Sequence, residues 1–588
     1  MEKCKFIIMI ILITAVIFMG CTQPIEKPTN LTNQGAGGLE PTPNVTHGPP
    51  AANITNATNI THVSAGRNET VTNVSNANNI TIEKNETFET EKEGPVPINT
   101  TEVELKFIQR DQNLSDSECV DLENPKTYGG KVVHDNTWNY LIQKSVKLCP
   151  KTYSMSSNSP SPSLITIAAD NITLDCNGAT LTVTYPPELD SAGRLAILNP
   201  GYDGTIIKNC ISQEDIIFWP YEKRTWGSDV GTSENCAIFN CTLVNATMVE
   251  TGGSRGGSIW IYDVKNSAIF NNTVYRIEVG GSNESVCDNL MSDNFNYEGR
   301  PILYYNEFVS LSNMDDIYQL ILCNADGSTV DNVHVRGIKG KENLVQPRYN
   351  YSSHVGEGGG ISLVYTDNTL IENSRVSDSE FGVAIYRGNN NVISNNEFLN
   401  NRRGVQMEFF DDNLSIYNTF THNTLIGNWD GFSIMNTPRI IITNNFISEN
   451  GGDGIQFSYS KGGGSIISNN TLTKNLKGIS LGEVENVTVS GNIIINNEQG
   501  IFSSDSTDLN VYENDIQETK YSIVVAGTNL SEFRHNTCSN SPGYCLMIWD
   551  SYNNTFTRNV FFNNTMNFNN NMDYGAFVRD NIVLDNNW

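Results

Sequence analysis

The residues of this chain that could do chemistry are acids and aromatics, and their spacing is uneven. From residue 361 onward a glycine recurs ahead of a short alternating apolar stretch. Two places after it stand Ser362, Ala384, Gln406, Ser433, Gln456 and Ser480; four places after it stand Val364, Tyr386, Glu408, Met435, Ser458 and Gly482. A calcium-assisted lyase needs several carboxylates for the ion and an Arg or Lys as base, and a hydrolase needs a pair of carboxylates. These columns supply one acid, Glu408. Asp411 and Asp412 follow at the next corner, and Arg387 is expected one coil below, so these four residues are the catalytic candidates.

Just before the glycine the sequence reads Arg403, Asp430, Asp453 and Lys477. Asp430 and Asp453, expected on adjacent coils, are a possible calcium pair, calcium being the one cofactor considered. The flanking cations equally make a self-neutralised surface ladder. Further upstream, Trp219, Tyr221, Trp226, Trp260 and Tyr262 could form an aromatic platform for stacking on sugar rings. The same aromatics could simply pack insertions onto the scaffold.

The scaffold that must position these groups is written as a repeat. Ile393-Ser394-Asn395-Asn396-Glu397-Phe398 returns as Ile442-Thr443-Asn444-Asn445-Phe446-Ile447 and as Ile467-Ser468-Asn469-Asn470-Thr471-Leu472. The anchor asparagines are Asn373, Asn396, Asn423, Asn445, Asn470, Asn492, Asn514, Asn536 and Asn559, most of them 22 or 23 residues apart. Apolar residues alternate with period two, which marks short half-buried strands, and β-branched residues and Phe fill the inward places. One coil is too small to bury its own face, so stacked neighbours must supply the core. The expected fold is all-β: a right-handed parallel β-helix, a single-stranded solenoid of about 22-residue coils, preceded by a disordered stalk. The recurrent Asn is expected at a left-handed corner, stacked into an amide ladder. The Gly before each strand is expected at a second corner requiring positive φ.

Length and composition fit an exported scaffold. The chain has 588 residues, 38% hydrophobic and 17% charged, with a formal net charge of -28. Nucleic acid is excluded as a partner, because phosphate binding needs Lys and Arg clusters. Lys3 and Lys5 precede an apolar run from Phe6 to Met19, short for a ~30 Å hydrocarbon core, so residues 1–21 read as a signal peptide. Ile17-Phe18-Met19-Gly20-Cys21 resembles a lipobox with Cys21 as the lipidated residue, although Phe18 departs from its usual aliphatic; an uncleaved anchor is the alternative. Residues 22–100 read as a disordered, glycosylated stalk, with sequons at Asn30, Asn44, Asn53, Asn56, Asn59, Asn68, Asn73, Asn79, Asn85 and Asn99. Residues 101–163 are expected to cap the solenoid, which runs over 164–588 with insertions near 212–235 and 280–357. Cys119, Cys149, Cys176, Cys210, Cys236, Cys241, Cys287, Cys323, Cys538 and Cys545 make an even set compatible with disulfides or with buried unpaired thiols, and Cys538 with Cys545 could close a small loop.

The segment from Ala168 to Leu181, containing Asp170-Asn171-Ile172-Thr173-Leu174-Asp175-Cys176-Asn177-Gly178, followed by Asn-anchored coils, resembles right-handed parallel β-helix surface proteins of archaea. That broad group holds NosD-like periplasmic proteins and pectate-lyase-like enzymes. The resemblance covers roughly residues 164–580 and implies the fold, not the activity, because this fold hosts lyases, hydrolases, epimerases, adhesins and scaffolds. Seven histidines and no His-x-His cluster give no support to copper binding of the NosD-like kind. The expected function is a membrane-anchored cell-surface protein, on the extracellular side, that binds glycans or envelope proteins without catalysis. The alternative is a polysaccharide lyase or hydrolase with its site in 212–412.

Overall fold

The computed structural model describes residues 114, 118–123, 131–134, 137–156, 163–184, 195–219, 233–243, 257–338, 358–408 and 415–570. Among these the chain is all-β apart from one short 3-10 helix, Glu284–Cys287.

A typical coil holds the strands Ile441–Thr443, Phe446–Ser448 and Asp453–Ser458. The next coil repeats it as Ser465–Ser468, Thr471–Thr473 and Lys477–Gly482. The two pair in parallel, with Ile442 on Ile467, Ile447 on Leu472 and Ile455 on Ile479. All six side chains are buried, so each inward position becomes a column of aliphatics running from coil to coil. Stacking of this kind builds a 13-stranded sheet from the long strands and a 20-stranded sheet from the paired short ones.

The corners differ from the sequence expectation in a way that has a steric cause. From Asn396 onward the left-handed residue is the one before the anchor asparagine, as at Asn444 with φ 58°, and the same holds five residues on, where Glu449 has φ 58°; Asn445 and Asn450 are absent from that region. The left-handed residue turns the chain outward, and the residue after it points its side chain inward. Of the glycines before the long strands Gly360 has positive φ, at 101°, but Gly382, Gly404, Gly431, Gly454 and Gly478 do not. Gly454 lies inside its strand, and a Cβ there would meet the Gly478 carbonyl oxygen at 2.8 Å and Leu472 Cδ2 at 3.1 Å. Glycine is there for close approach of the neighbouring coil, not for turning.

Upstream, shorter stacks form sheets of seven, six, four and two strands. Parallel pairing starts before residue 164, with Tyr140 on Ile165 and Val146 on Leu174. The strand Lys131–His134 lies antiparallel to Thr137–Ile142, covering the edge of the first coil. Within 280–357, expected as an insertion, the chain forms strands from Leu290 to Arg336. Its irregular hydrophobic spacing hides coils that carry strands of up to eight residues.

Two cores meet near residue 320. Leu320 and Leu322 join the downstream core, whereas Ile321 and Cys323 of the same strand join the upstream one. The Gln319 amide bridges the seam: its Nε2 donates to the Ile277 carbonyl at 2.8 Å, and its Oε1 accepts from the Ile277 N–H at 3.1 Å. A disulfide, Cys287–Cys323, ties the Glu284–Cys287 helix to the strand ending at Cys323, with both cysteines in the upstream core. Three others join Cys119–Cys149, Cys176–Cys210 and Cys538–Cys545, and Cys236 and Cys241 are buried free thiols.

Candidate functional site

The last three strands of the seven-stranded sheet are Asp215–Phe218, Ser258–Tyr262 and Arg276–Gly280. Ile216, Phe218, Ile259, Ile261 and Ile277 point into the core. By alternation, Asp215, Ile217 and Trp219 share the opposite face with Ser258, Trp260 and Tyr262, and with Arg276, Glu278 and Gly280. Register sets the rows: Ser258 beside Arg276, Trp260 beside Glu278, Tyr262 beside Gly280, and Ile217 beside Trp260. The Trp219 and Tyr262 rings lie 5.8 Å apart, tilted by 41°. A Cβ on Gly280 would sit 2.7 Å from Tyr262 Cε2, so glycine leaves the room that the Tyr262 ring occupies over the next coil.

The polar part of this face is charged and largely buried. Arg276 Nη2 pairs with Glu278 Oε1, and the Arg276 guanidinium lies 5.2 Å from the Trp260 ring centroid. Asp215 Oδ1 accepts the Ser258 N–H at 2.8 Å. Burial pushes the Asp215 carboxyl up to about 8, against the Ser258 hydrogen bond and the Arg276 charge, with Glu214 and Glu278 adding to the rise. Burial likewise raises Glu278, with Arg276 opposing it. For Arg276 burial opposes the charge, but Glu278 and Glu380 outweigh it and hold the guanidinium protonated.

Family comparison agrees with this architecture. The model for periplasmic copper-binding protein (NosD) matches residues 418–581, and the model for the right handed beta helix region matches residues 319–481. The chain is a right-handed β-helix repeat protein. Among solved structures, the mannuronan C-5 epimerase A-module of Azotobacter vinelandii is 13% identical over 74% of this chain and 89% of its own, with a TM-score of 0.31. A periplasmic alginate epimerase is 12% identical over 72% and 79%, with a TM-score of 0.29. DFA-IIIase from Arthrobacter chlorophenolicus A6, without its lid, is 11% identical over 60% and 84%, with a TM-score of 0.32. Likenesses this distant carry no argument about substrate. No curated protein matches the chain.

In this β-helix protein Trp219, Trp260 and Tyr262 come together, and Arg387 joins them. Arg387 Nη1 meets the Tyr365 hydroxyl, and its guanidinium lies 5.1 Å from the Tyr365 ring. Burial lowers the Arg387 pKa, with Tyr262 and Asp263 opposing. The Tyr365 hydroxyl in turn donates to the Gly281 carbonyl at 3.0 Å. Arg387 therefore belongs to the aromatic face. Glu408 pairs through its backbone with Met435 in the next coil. The Glu408 side chain, Asp411, Asp412, Tyr221, Trp226, Cys21 and the sequon asparagines from Asn30 to Asn99 lie outside the described residues.

Asp430 and Asp453 sit on adjacent coils, and the Asp453 N–H donates to Asp430 Oδ1 at 3.0 Å. Lys477 Nζ is 3.4 Å from Asp453 Oδ2, so a cation shares this pair. Burial and then the Asp453 charge push Asp430 up to about 7, with Arg403 opposing; burial also raises Asp453 against Lys477. Arg402 pairs with Glu380 at 2.6 Å, and the Glu380 charge reaches Arg276. Among the described residues no three His, Cys, Asp or Glu side chains are grouped to hold a metal ion. The column of Gln406, Ser433 and Ser480 aligns as its spacing requires but is buried.

The asparagines stack from Asn396 to Asn559. Each Nδ2 from Asn396 onward donates to the Oδ1 of the next, through Asn423, Asn445, Asn470, Asn492, Asn514 and Asn536, at 2.9 to 3.1 Å. Asn373 stands outside this column. It is itself left-handed, with φ 52°, and bonds Asp331, while Ser374 takes the inward place and donates its N–H to Asn396 Oδ1. A second ladder, missed in the sequence, runs through Asn401, Asn428, Asn450, Asn475 and Asn497. Its signal was available: each of its members lies five residues after one of the first. The Asp215, Ser258, Arg276 and Glu278 grid was also missed, because the outward columns were read only where the repeat is regular. An Arg-Ile-Glu-Val strand beside Ser-Ile-Trp-Ile-Tyr would have exposed it.

Proposed function

We propose that this protein is exported and binds polysaccharide on the outward face of its upstream coils. The observation that carries the reading is the Trp219–Tyr262 step, continued by Trp260 and edged by Arg387. Aromatic faces supply large apolar area for the C–H face of a sugar, and an adjacent guanidinium supplies planar donors. The signal-like N-terminus and the periplasmic family that matches residues 418–581 support an envelope or extracellular location. Anchoring through a lipid on Cys21, a glycosylated stalk over residues 22–100 and envelope-protein partners complete the proposal. No helix among the described residues is long and apolar enough to cross a membrane.

The copper that the matched family name carries does not fit the described residues. No ligand cluster is present among them, and burial pushes the Cys236 and Cys241 thiols up to about 12, away from the thiolate form that binds soft metals. The test is affinity electrophoresis in gels containing a panel of polysaccharides. At least one should retard the wild type, and Trp219→Ala and Tyr262→Ala should each weaken retention about tenfold, the loss of roughly one stacked ring. Retention unchanged in both variants would sink the reading.

A second reading, polysaccharide cleavage, is favoured by Asp430 and Asp453. They stand on adjacent strands, joined by the bond from the Asp453 N–H to Asp430 Oδ1, and burial raises Asp430 to about 7, the range of a general acid working near neutrality. Release of reducing ends that disappears in Asp430→Asn would establish it.

A further inference from the structure

Four buried polar atoms on or beside the upstream face have no hydrogen-bond partner: Ser258 Oγ, Trp260 Nε1, Arg276 Nε and the Tyr318 hydroxyl. Ser258 and Tyr318 are both 0% exposed. Such orphans are rare in folded proteins, because a buried polar group without a partner forfeits its hydration. Four of them in one neighbourhood require an occupant.

They converge by construction. Ser258 and Arg276 are register neighbours, and the Trp260 ring lies 5.2 Å from the same guanidinium. Tyr318 immediately precedes Gln319, whose amide clamps Ile277 between Arg276 and Glu278; the Arg300 guanidinium lies 5.4 Å from the Tyr318 ring, and the Arg276 and Arg300 charges both act on its phenol. The chemistry of the four is one-sided. An indole N–H and a guanidinium N–H can only donate, and both hydroxyls have a proton to give. Their shared need is an acceptor with several lone pairs. A sugar hydroxyl offers two and carries a proton of its own, whereas an oxyanion offers more and forms the stronger charge-assisted bonds.

We propose that Ser258, Trp260, Arg276 and Tyr318 form a pocket for one oxyanion, a carboxylate or a sulfate, carried by a sugar of the polysaccharide that stacks on Trp219 and Tyr262. This assignment rests on the polysaccharide-binding reading and adds the class of ligand. Glu278 is already engaged with Arg276, and Glu380 with Arg402, so neither adds an uncompensated negative charge. Asp215, beside Ser258, makes the pocket sensitive to protons. It is faced by the Ser258 N–H, by Arg276 and Glu278 from the next strands, and by Glu214 on its own element. Below about 8 it is neutral; above that value it places a negative charge next to the bound oxyanion. Binding of the acidic ligand should therefore fall as pH rises through that range.

The experiment measures retention of the full chain by polygalacturonate, dextran sulfate and unmodified dextran between pH 6 and pH 9. One or both acidic polymers should bind at least tenfold tighter than dextran at pH 6, with the advantage shrinking towards pH 9. Tyr318→Phe and Ser258→Ala should each cut that advantage about threefold or more and leave dextran retention alone. Because the Tyr318 hydroxyl is unpaired, Tyr318→Phe should not lower Tm, which a purely structural role would. Asp215→Asn should keep acidic binding and flatten its pH dependence. Equal retention of acidic and neutral polymers, or an unaffected Tyr318→Phe, overturns the pocket and leaves the stacking face standing. Absence of retention by all three overturns the pocket together with the binding reading.

Discussion

Replacing Asn470 by Ala tests the amide ladder where it is most complete. Asn470 is 0% exposed. Its Oδ1 accepts from the Asn445 N–H and from Asn445 Nδ2, both at 3.0 Å. Its own Nδ2 donates to the Ile442 carbonyl at 2.9 Å and to Asn492 Oδ1 at 3.0 Å. Four buried hydrogen bonds disappear together. Asn445 Nδ2 keeps the Phe420 and Thr443 carbonyls, and Asn492 Oδ1 keeps the Asn470 N–H, so those groups stay paired. The Asn445 N–H loses its acceptor. With a net ~0.5–1.5 kcal/mol per bond and ~1–3 kcal/mol for the stranded donor, non-additively, the loss should be about 3–5 kcal/mol. Asn373→Ala is the control: an exposed side chain with one bond to Asp331, expected to cost about 1 kcal/mol through its left-handed backbone. Urea unfolding, read by circular dichroism, measures both, and amide exchange should show the loosening at the coils next to Asn470. An Asn470→Ala variant within about 1 kcal/mol of wild type, or one no worse than Asn373→Ala, would refute the ladder argument.

Other expectations follow from the same geometry. Asp430 has a folded pKa raised to about 7 from a carboxylate reference near 3.8. The folded state therefore holds a proton that the unfolded state releases, and stability should fall as pH rises from about 4 to about 7. Melting temperatures across that range should show the slope, and Asp430→Asn should reduce it. Gly454→Ala should destabilise by about 1–3 kcal/mol in thermal melts although its φ is ordinary, because the new methyl meets the Gly478 carbonyl oxygen. Cys287→Ser with Cys323→Ser removes the link between the Glu284–Cys287 helix and the strand ending at Cys323 and should cost about 3–4 kcal/mol, read as a lower melting temperature under oxidising conditions. Cys21→Ser should release the protein from membranes if the proposed lipid is its anchor; retention in a fractionation assay would favour an uncleaved helix instead.

The fold was legible where one residue type recurs at one structural place. Ile442, Ile447 and Ile455 announce three strands because their partners one coil on are equally apolar. The corner asparagines were visible for the same reason. Their conformation was not, since a side chain that stacks inward and a backbone that turns left-handed are different demands, met by neighbours such as Asn445 and Asn444. Composition cannot separate them when both are Asn. Glycine misled in a parallel way: Gly454 marks contact with the next coil, and sequence alone shows a missing side chain without showing what approaches it.

The site was less legible. Trp219, Trp260 and Tyr262 stood out as rare aromatics in a polar chain, and one sheet face holds all three. Arg387 was read against Glu408 by coil arithmetic, yet its guanidinium stacks on Tyr365 beside Tyr262. The seam between the two cores brings residues some 100 positions apart into one neighbourhood, and no local period encodes that. Asp215, Ser258 and Arg276 were passed over for the same reason, since their coils vary in length and their charges look ordinary in the sequence.

The most direct test of the account is a crystal structure of the protein with an oligosaccharide from whichever polymer retains it. The account predicts a sugar ring lying on Trp219 and Tyr262, with Arg387 at the edge of the bound chain. An oligosaccharide seated instead against Asp430 and Asp453, with the Trp219–Tyr262 face bare, would contradict it.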